Sequence, residues 1–235
     1  MKKYFGLTLF VILGFSAIAQ KKQLSLSDAV LQQNRAFRDE QCNAITWIPG
    51  TDSYVYTSNN YQTMYQASVK KTEPEQVLTI QEANTALGSQ LYNFYGFSFR
   101  NTNEILLTDG NNYYSLNLKT KTGSKLVSVV EAGANAEYEM VSGSVAYTIE
   151  NNLWIVNSKG EKIAVTSNAD KNIVSGQTYA RSEFGITDGI FWSGKGTYLA
   201  FYQKDETEVK SYPLVDITKT PAELMNIKYP MAARF

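Results

Sequence analysis

The sequence predicts an all-β fold, a partial β-propeller of about four blades of antiparallel strands, and three observations carry that expectation. From Ala44 onward, short runs rich in Tyr, Val, Ile, Thr and Trp alternate with turn clusters such as Pro49-Gly50-Thr51-Asp52 and Asp109-Gly110-Asn111-Asn112. Aromatic residues make up 13% of the chain, with 16 tyrosines, which suits half-buried strand faces better than helices. The strands also repeat. Asn111-Asn112-Tyr113-Tyr114-Ser115-Leu116-Asn117 recurs as Asn151-Asn152-Leu153-Trp154-Ile155-Val156-Asn157, and the preceding strands, Glu104 to Thr108 and Ser144 to Thr148, keep the same offset. Ile45-Thr46-Trp47-Ile48-Pro49-Gly50 before Tyr54-Val55-Tyr56-Thr57, and Ile190-Phe191-Trp192-Ser193-Gly194-Lys195-Gly196 before Tyr198 to Tyr202, have the same strand–turn–strand form. Units of about 40 to 50 residues that hold several short strands are the signature of propeller blades.

Taken in order, residues 1–19 read as a signal peptide. Lys2 and Lys3 precede an apolar run from Tyr4 to Phe15, and Ala17 and Ala19 supply the small residues of a cleavage site before Gln20. The run is too short to span a bilayer comfortably, so no membrane span is expected after cleavage, and the protein is expected to be exported, periplasmic or extracellular. Residues 20–43 form a lead-in segment. Within residues 23–41, Leu24, Ala29, Val30, Ala36 and Phe37 follow a helical spacing with Ser27 and Asp28 placed to cap it; a short helix and a partly ordered connector both fit. Residues 44–235 are the incomplete propeller, with blades at about 44–90, 91–133, 134–178 and 187–217. Nothing resembling a closing strand follows Ile217, so the expectation is a piece of a larger protein whose last blade has a bare flank.

Charge and composition exclude several functions. Removing Lys2 and Lys3 from 22 basic residues leaves 20 against 22 acidic ones, so the mature chain lacks the basic field that nucleic-acid binding needs. Cys42 is the only cysteine, which forbids an internal disulfide and suits a buried apolar filler. The chain contains no histidine. A Ser-His-Asp triad and a Cys-His pair both need an imidazole to take the nucleophile's proton, and hydrolytic zinc sites usually use one as well. The one Ser-x-x-Lys, Ser68-Val69-Lys70-Lys71, falls in a strand-like run, and there is no Gly-x-Ser-x-Gly elbow. No catalytic residue, cofactor or metal site is therefore expected in this chain.

Residues 174 to 233 resemble the dipeptidyl peptidase IV branch of the prolyl oligopeptidase clan, of the bacterial secreted type. The segments that carry the resemblance are Ser175-Gly176-Gln177, Arg181-Ser182-Glu183-Phe184-Gly185-Ile186, Phe191-Trp192-Ser193 to Tyr202, Asp205 to Val209, Tyr212-Pro213-Leu214-Val215-Asp216 and Lys228-Tyr229-Pro230-Met231-Ala232. A looser, collinear similarity runs back to about residue 44. The resemblance implies an eight-bladed N-terminal propeller ahead of an α/β-hydrolase domain that releases N-terminal dipeptides from peptides, with the catalytic serine, aspartate and histidine beyond Phe235. It further implies that an acidic propeller motif grips the substrate's α-amine, and Glu183 stands in the matching position. Members with strong dipeptidyl activity carry consecutive glutamates there, whereas this chain has Ala180-Arg181-Ser182-Glu183. The family's propeller arginine has no counterpart where Thr108 runs straight into Asp109-Gly110-Asn111-Asn112.

Two functional readings follow. The first is the N-terminal propeller portion of a secreted dipeptidyl peptidase IV-like serine exopeptidase, with peptide substrates and without its hydrolase domain in this chain. The alternative is a non-enzymatic exported propeller acting as a binding or scaffolding module, in a closed ring or a homo-oligomer whose chains complete each other. Glu183 fits amine binding, a solvated loop carboxylate or a partner of Arg181. Asp205-Glu206-Thr207-Glu208 reads as an exposed turn, Trp47, Trp154 and Trp192 as blade packing, and Lys119, Lys121 and Lys125 as a solvated edge.

Overall fold

The computed structural model describes residues 24–32, 42–58, 60–179 and 183–229. Residues 1–19, where the sequence suggests a signal peptide, and residues 20–23 and 33–41 of the lead-in lie outside the described residues. The chain divides into two units, residues 1–41 and 42–235. In the first, a helical turn runs into a π-helical segment at Asp28–Gln32. Its cap differs from the expected one. Ser25 rather than Ser27 holds the N-terminus, its Oγ accepting from the Asp28 amide while the Asp28 carboxylate accepts from the Ser25 amide.

The second unit opens with three four-stranded antiparallel meanders, each a blade. Blade 1 holds β1 (Asn43–Trp47), β2 (Ser53–Thr57), β3 (Thr63–Ser68) and β4 (Lys71–Thr79). Blade 2 holds β5 (Ser98–Phe99), β6 (Glu104–Thr108), β7 (Asn112–Asn117) and β8 (Thr122–Ser128). Blade 3 holds β9 (Ala134–Tyr138), β10 (Val145–Ile149), β11 (Asn152–Val156) and β12 (Lys162–Ala164). The internal repeat is the central hairpin of the second and third blades: β6 pairs with β7 from Glu104↔Asn117 to Thr108↔Tyr113, and β10 with β11 from Val145↔Val156 to Ile149↔Asn152.

Side-chain alternation on those central strands joins the blades. Ile105 and Leu107 point into a core shared with Met64 and Leu78 of blade 1, whereas Leu106 between them faces Val145, Tyr147 and Val156 of blade 3. Ala146, next along β10, turns the other way toward Leu153 and Ile190 of the fourth blade. A strand buried on both faces needs an unbroken apolar run, which is what Ile105-Leu106-Leu107 and Val145-Ala146-Tyr147 supply. Each such side chain contributes roughly 1.5–3 kcal/mol on burial.

A helix not anticipated from the strand pattern, α1 (Ile80–Leu87), links the first two blades. Its signals are local. Thr79 and Glu82 form a reciprocal capping box, and Gly88 ends the helix in the left-handed conformation at φ 59°. Ser68 and Lys71 flank the β3–β4 turn rather than sitting within one strand. Cys42 is exposed, not the buried filler its chemistry suggested. Trp154 and Trp192 pack against blade cores as expected, but Trp47 is largely exposed. Lys121 pairs with Glu82 at 3.1 Å. Among the described residues no helix is long and apolar enough to cross a membrane.

Candidate functional site: a loop pinned to the inner strand of blade 4

The fourth blade is built differently. Its strands are β13 (Ile173–Ser175), β14 (Ile190–Trp192), β15 (Leu199–Phe201) and β16 (Gln203–Asp205). β13 pairs with β16 and β14 with β15. Only Tyr202 separates β15 from β16, and its backbone joins the two halves: the Gly176 amide donates to the Tyr202 carbonyl at 2.8 Å and the Tyr202 amide to the Gly189 carbonyl at 2.9 Å. β13 and β14 are thus two halves of one edge strand laid along a continuous partner. Ile173–Ser175 therefore belongs with the fourth blade, not with the third as the spacing implied. A strand also follows Ile217, contrary to expectation: β17 (Ser211–Asp216) pairs antiparallel with β18 (Glu223–Lys228) through a turn at residues 217–222.

Between those halves the chain leaves the sheet at Gln177 and returns at Asp188. Its neck closes tightly because Gly189 has no side chain: a Cβ there would lie 2.3 Å from the Gln177 carbonyl carbon and 2.8 Å from the Gly176 oxygen. Two side-chain bonds brace it. The Gln177 amide donates to the Glu150 carbonyl at 2.8 Å, and the Thr178 hydroxyl donates to the Ile186 carbonyl at 2.9 Å.

Glu183 lies on this loop, opening a short 3-10 turn, Glu183–Gly185. Residues 180–182, including Arg181, lie outside the described residues. Phe184 follows in the left-handed region at φ 56°, ψ 22°, and is 92% exposed. A bulky residue held at positive φ with its ring in water is a strained arrangement of the kind found at ligand-contacting turns.

The loop's second neck residue, Asp188, sets the electrostatics. Burial in the blade 3 sheet pushes the Glu137 carboxyl above its ordinary range, and the charge of Asp188 adds to that shift. The Trp192 indole N–H donates to the Glu137 carbonyl at 3.0 Å, locking blade 4 against β9. The Glu137 and Asp188 carboxylates thus sense each other's charge beside the neck of the loop, and sequence reasoning singled out neither residue. They are 51 positions apart, and no motif links them. A cleft of about 340 Å³, lined by Glu150, Asn151, Lys171, Val174 and Gln177, opens beside the neck. Its floor is rigid because the buried Asn151 amide donates to the Asp170 carbonyl at 2.9 Å and the Ile173 carbonyl at 3.0 Å.

The remaining sequence candidates are structural. Asp205 holds its own turn by accepting from the Thr207 amide at 2.9 Å, and Glu206 pairs with Lys204 at 3.0 Å. Among the described residues no group of three or more His, Cys, Asp or Glu side chains is arranged to hold a metal ion.

This architecture is shared with known proteins. The family described as the dipeptidyl peptidase IV (DPP IV) N-terminal region matches residues 107–234. A Bacteroides ovatus protein assigned as a dipeptidyl aminopeptidase IV superposes with a TM-score of 0.65 at 36% identity, over 82% of this chain and 27% of that one. Porphyromonas gingivalis dipeptidyl peptidase 4 shares the fold, with a TM-score of 0.64 at 19% identity, over 90% of this chain and 32% of that one. The Saccharomyces cerevisiae dipeptidyl aminopeptidase B is 29% identical over 119 residues, 47% of this chain and 14% of the relative. A Fusarium vanettenii protein assigned as a dipeptidyl-aminopeptidase B is 30% identical over 139 residues, 51% of this chain and 15% of the relative. The matched regions thus span about one-seventh of the length of these curated relatives. The family match covers more than half of the sequence, and the chain belongs to the dipeptidyl peptidase IV N-terminal region family.

Proposed function

We propose that this chain is the propeller portion of an exported dipeptidyl peptidase IV-like serine exopeptidase, and that it contributes substrate positioning rather than bond cleavage. The observation that carries this reading is the excursion from the edge strand of blade 4, braced by Gln177 and Thr178, along which Glu183 opens the short turn Glu183–Gly185. An ammonium entering a region bounded by Glu137 and Asp188 is favoured by their charge, and a carboxylate at position 183 would pair with it in a charge-assisted bond. Fixing the α-amine fixes how far the peptide reaches, which is how an exopeptidase measures off a short product. The export part of the reading rests on Lys2, Lys3, the apolar run to Phe15 and the small residues Ala17 and Ala19. With no histidine in its sequence, the chain has no imidazole to activate a serine.

The test titrates the purified chain with Gly-Pro and with N-acetyl-Gly-Pro, following amide chemical shifts of residues 177–188. The free amine is expected to bind with a Kd on the order of 1 mM. Acetylation should abolish the response, and Glu183→Gln should weaken it at least about fivefold. Equal binding of both peptides would refute the amine role. A Gly-Pro chromogenic amide should not be turned over by this chain.

A further inference from the structure

The cleft between blades 3 and 4 is lined by two opposite charges that do not meet. Glu150 and Asn151 come from the β10–β11 turn, Lys171 from the connection into blade 4, and Val174 and Gln177 from β13 and its end, around a volume of about 340 Å³. Among the described residues the Glu150 carboxylate and the Lys171 ammonium form an ion pair neither with each other nor with another side chain; the ion pairs present lie elsewhere. Asp170, beside Lys171, is committed to its own turn, accepting from the Asn172 amide at 2.8 Å and the Asn172 side chain at 2.9 Å.

The backbone under both charges is fixed. Glu150 follows Ile149 in a two-residue turn closed by the Ile149↔Asn152 pair, and it stands at φ 52°, a left-handed conformation that a glutamate adopts far less readily than glycine. Its carbonyl accepts from the Gln177 side-chain amide at 2.8 Å. The next residue, the buried Asn151, ties this turn to the segment that carries Lys171: its side chain donates to the carbonyls on either side, Asp170 at 2.9 Å and Ile173 at 3.0 Å, and its own carbonyl accepts from the Ser175 amide at 3.0 Å.

We propose that this cleft binds a short zwitterion of the free-dipeptide class, its ammonium at Glu150, its carboxylate at Lys171 and its apolar atoms against Val174. A ligand with a single charge gains from one wall and is repelled by the other, and a neutral one satisfies neither; a ligand carrying both charges is favoured at each end. Length selects a dipeptide over an amino acid. The two protein charges lie beyond ion-pair distance of each other, and one peptide unit separates the termini of a dipeptide by roughly 3.8 Å more than those of a single residue. The volume agrees, standing at the lower end of the roughly 300–1,000 Å³ typical of ligand pockets. The Gln177 side-chain oxygen, left over when its nitrogen bonds Glu150, is an acceptor for the ligand's peptide N–H.

The experiment titrates the purified full chain with Gly-Gly to about 50 mM at low salt, following amide chemical shifts of residues 150–152 and 170–176. A saturating response with a Kd on the order of 1–10 mM is expected, as suits two ion pairs at a partly open site. Glycine, N-acetyl-Gly-Gly and Gly-Gly amide should each bind at least about threefold more weakly, and so should Gly-Gly to Glu150→Gln or Lys171→Gln, with circular dichroism confirming the sheet. Glu183→Gln should leave this response unchanged, which separates the cleft from the amine role of Glu183. Silence of residues 150–152 and 170–176 at every concentration overturns the proposal. Equal binding of Gly-Gly and its amide overturns the carboxylate–Lys171 contact, and equal binding of glycine overturns the dipeptide class. Shifts confined to residues 183–187 and lost in Glu183→Gln overturn the cleft while leaving the amine role standing.

Discussion

Gly196→Ala should uncouple blade 4 from blade 3, and the reason lies in one carboxylate. Glu139 follows β9 and is 95% buried, its carboxylate accepting from the Val141 and Ser142 amides. Burial alone would raise its pKa, but the two amide bonds outweigh burial and hold it below the ordinary range. Gly196, in the β14–β15 turn, sits directly against this carboxylate at φ 66°, and a Cβ there would lie 2.5 Å from the Glu139 Cδ. An alanine therefore meets two costs. The left-handed backbone contributes about 1 kcal/mol. Displacing the carboxylate from its amides contributes a further ~1.5–3 kcal/mol. The single variant should lose about 3 kcal/mol in urea unfolding with an unchanged m-value. Glu139→Ala should lose about 2–3 kcal/mol, since two turn amides go unpaired. In the double variant the collision is gone and only the backbone strain adds to the Glu139→Ala loss, so the total stays near ~3–4 kcal/mol instead of the additive ~5–6 kcal/mol. The sign with pH is fixed by the depressed pKa. The carboxylate's contribution is full above its unfolded pKa and is lost as pH falls through the lower folded value, so the coupling should fade in acid. Additive single and double variants at neutral pH would refute this account of the blade 3–blade 4 junction.

Gly189→Ala should disrupt the neck of the 177–188 loop, because its Cβ meets the Gln177 and Gly176 backbone rather than a side chain that can swing away; a loss of about 1–3 kcal/mol and faster hydrogen exchange confined to the loop are expected. Asn151→Ala should cost about 2–3 kcal/mol in urea unfolding, since the Asp170 and Ile173 carbonyls lose their buried donor. Tyr147→Phe should be neutral or stabilising by up to about 1 kcal/mol, because the fully buried Tyr147 hydroxyl finds no partner among the described residues; a clear loss in thermal unfolding would expose a hidden bond. Glu137→Gln should stabilise the fold at neutral pH and not in acid. Its raised folded pKa makes the ionised form unfavourable above that value, and the penalty disappears as pH falls through it.

Much of the fold is legible without coordinates because blades are local objects. Strand–turn–strand units such as 104–117 and 144–157 announce themselves by period-two alternation, turn residues and a repeat of 40, and their hairpin partners lie only a few residues away. The α1 helix was written in the sequence too, in Thr79, Glu82 and Gly88, but eight residues within a strand-rich region give too weak a periodicity to override their surroundings.

What the sequence by itself determined, then, is the all-β class, the first three blades, the family and the lack of any imidazole for catalysis. These follow from short-range backbone chemistry and composition. Only the tertiary structure decided that Ile173–Ser175 and Ile190–Trp192 are two halves of one edge strand, that the Asp188 charge reaches Glu137, that Glu139 sits against the Gly196 turn, and that Trp47 is largely exposed. Each of these joins residues tens of positions apart or depends on which side of a sheet meets a neighbour. Alternation along a strand separates two faces but does not say which one is covered; that is settled when the blades stack and water is excluded from between them.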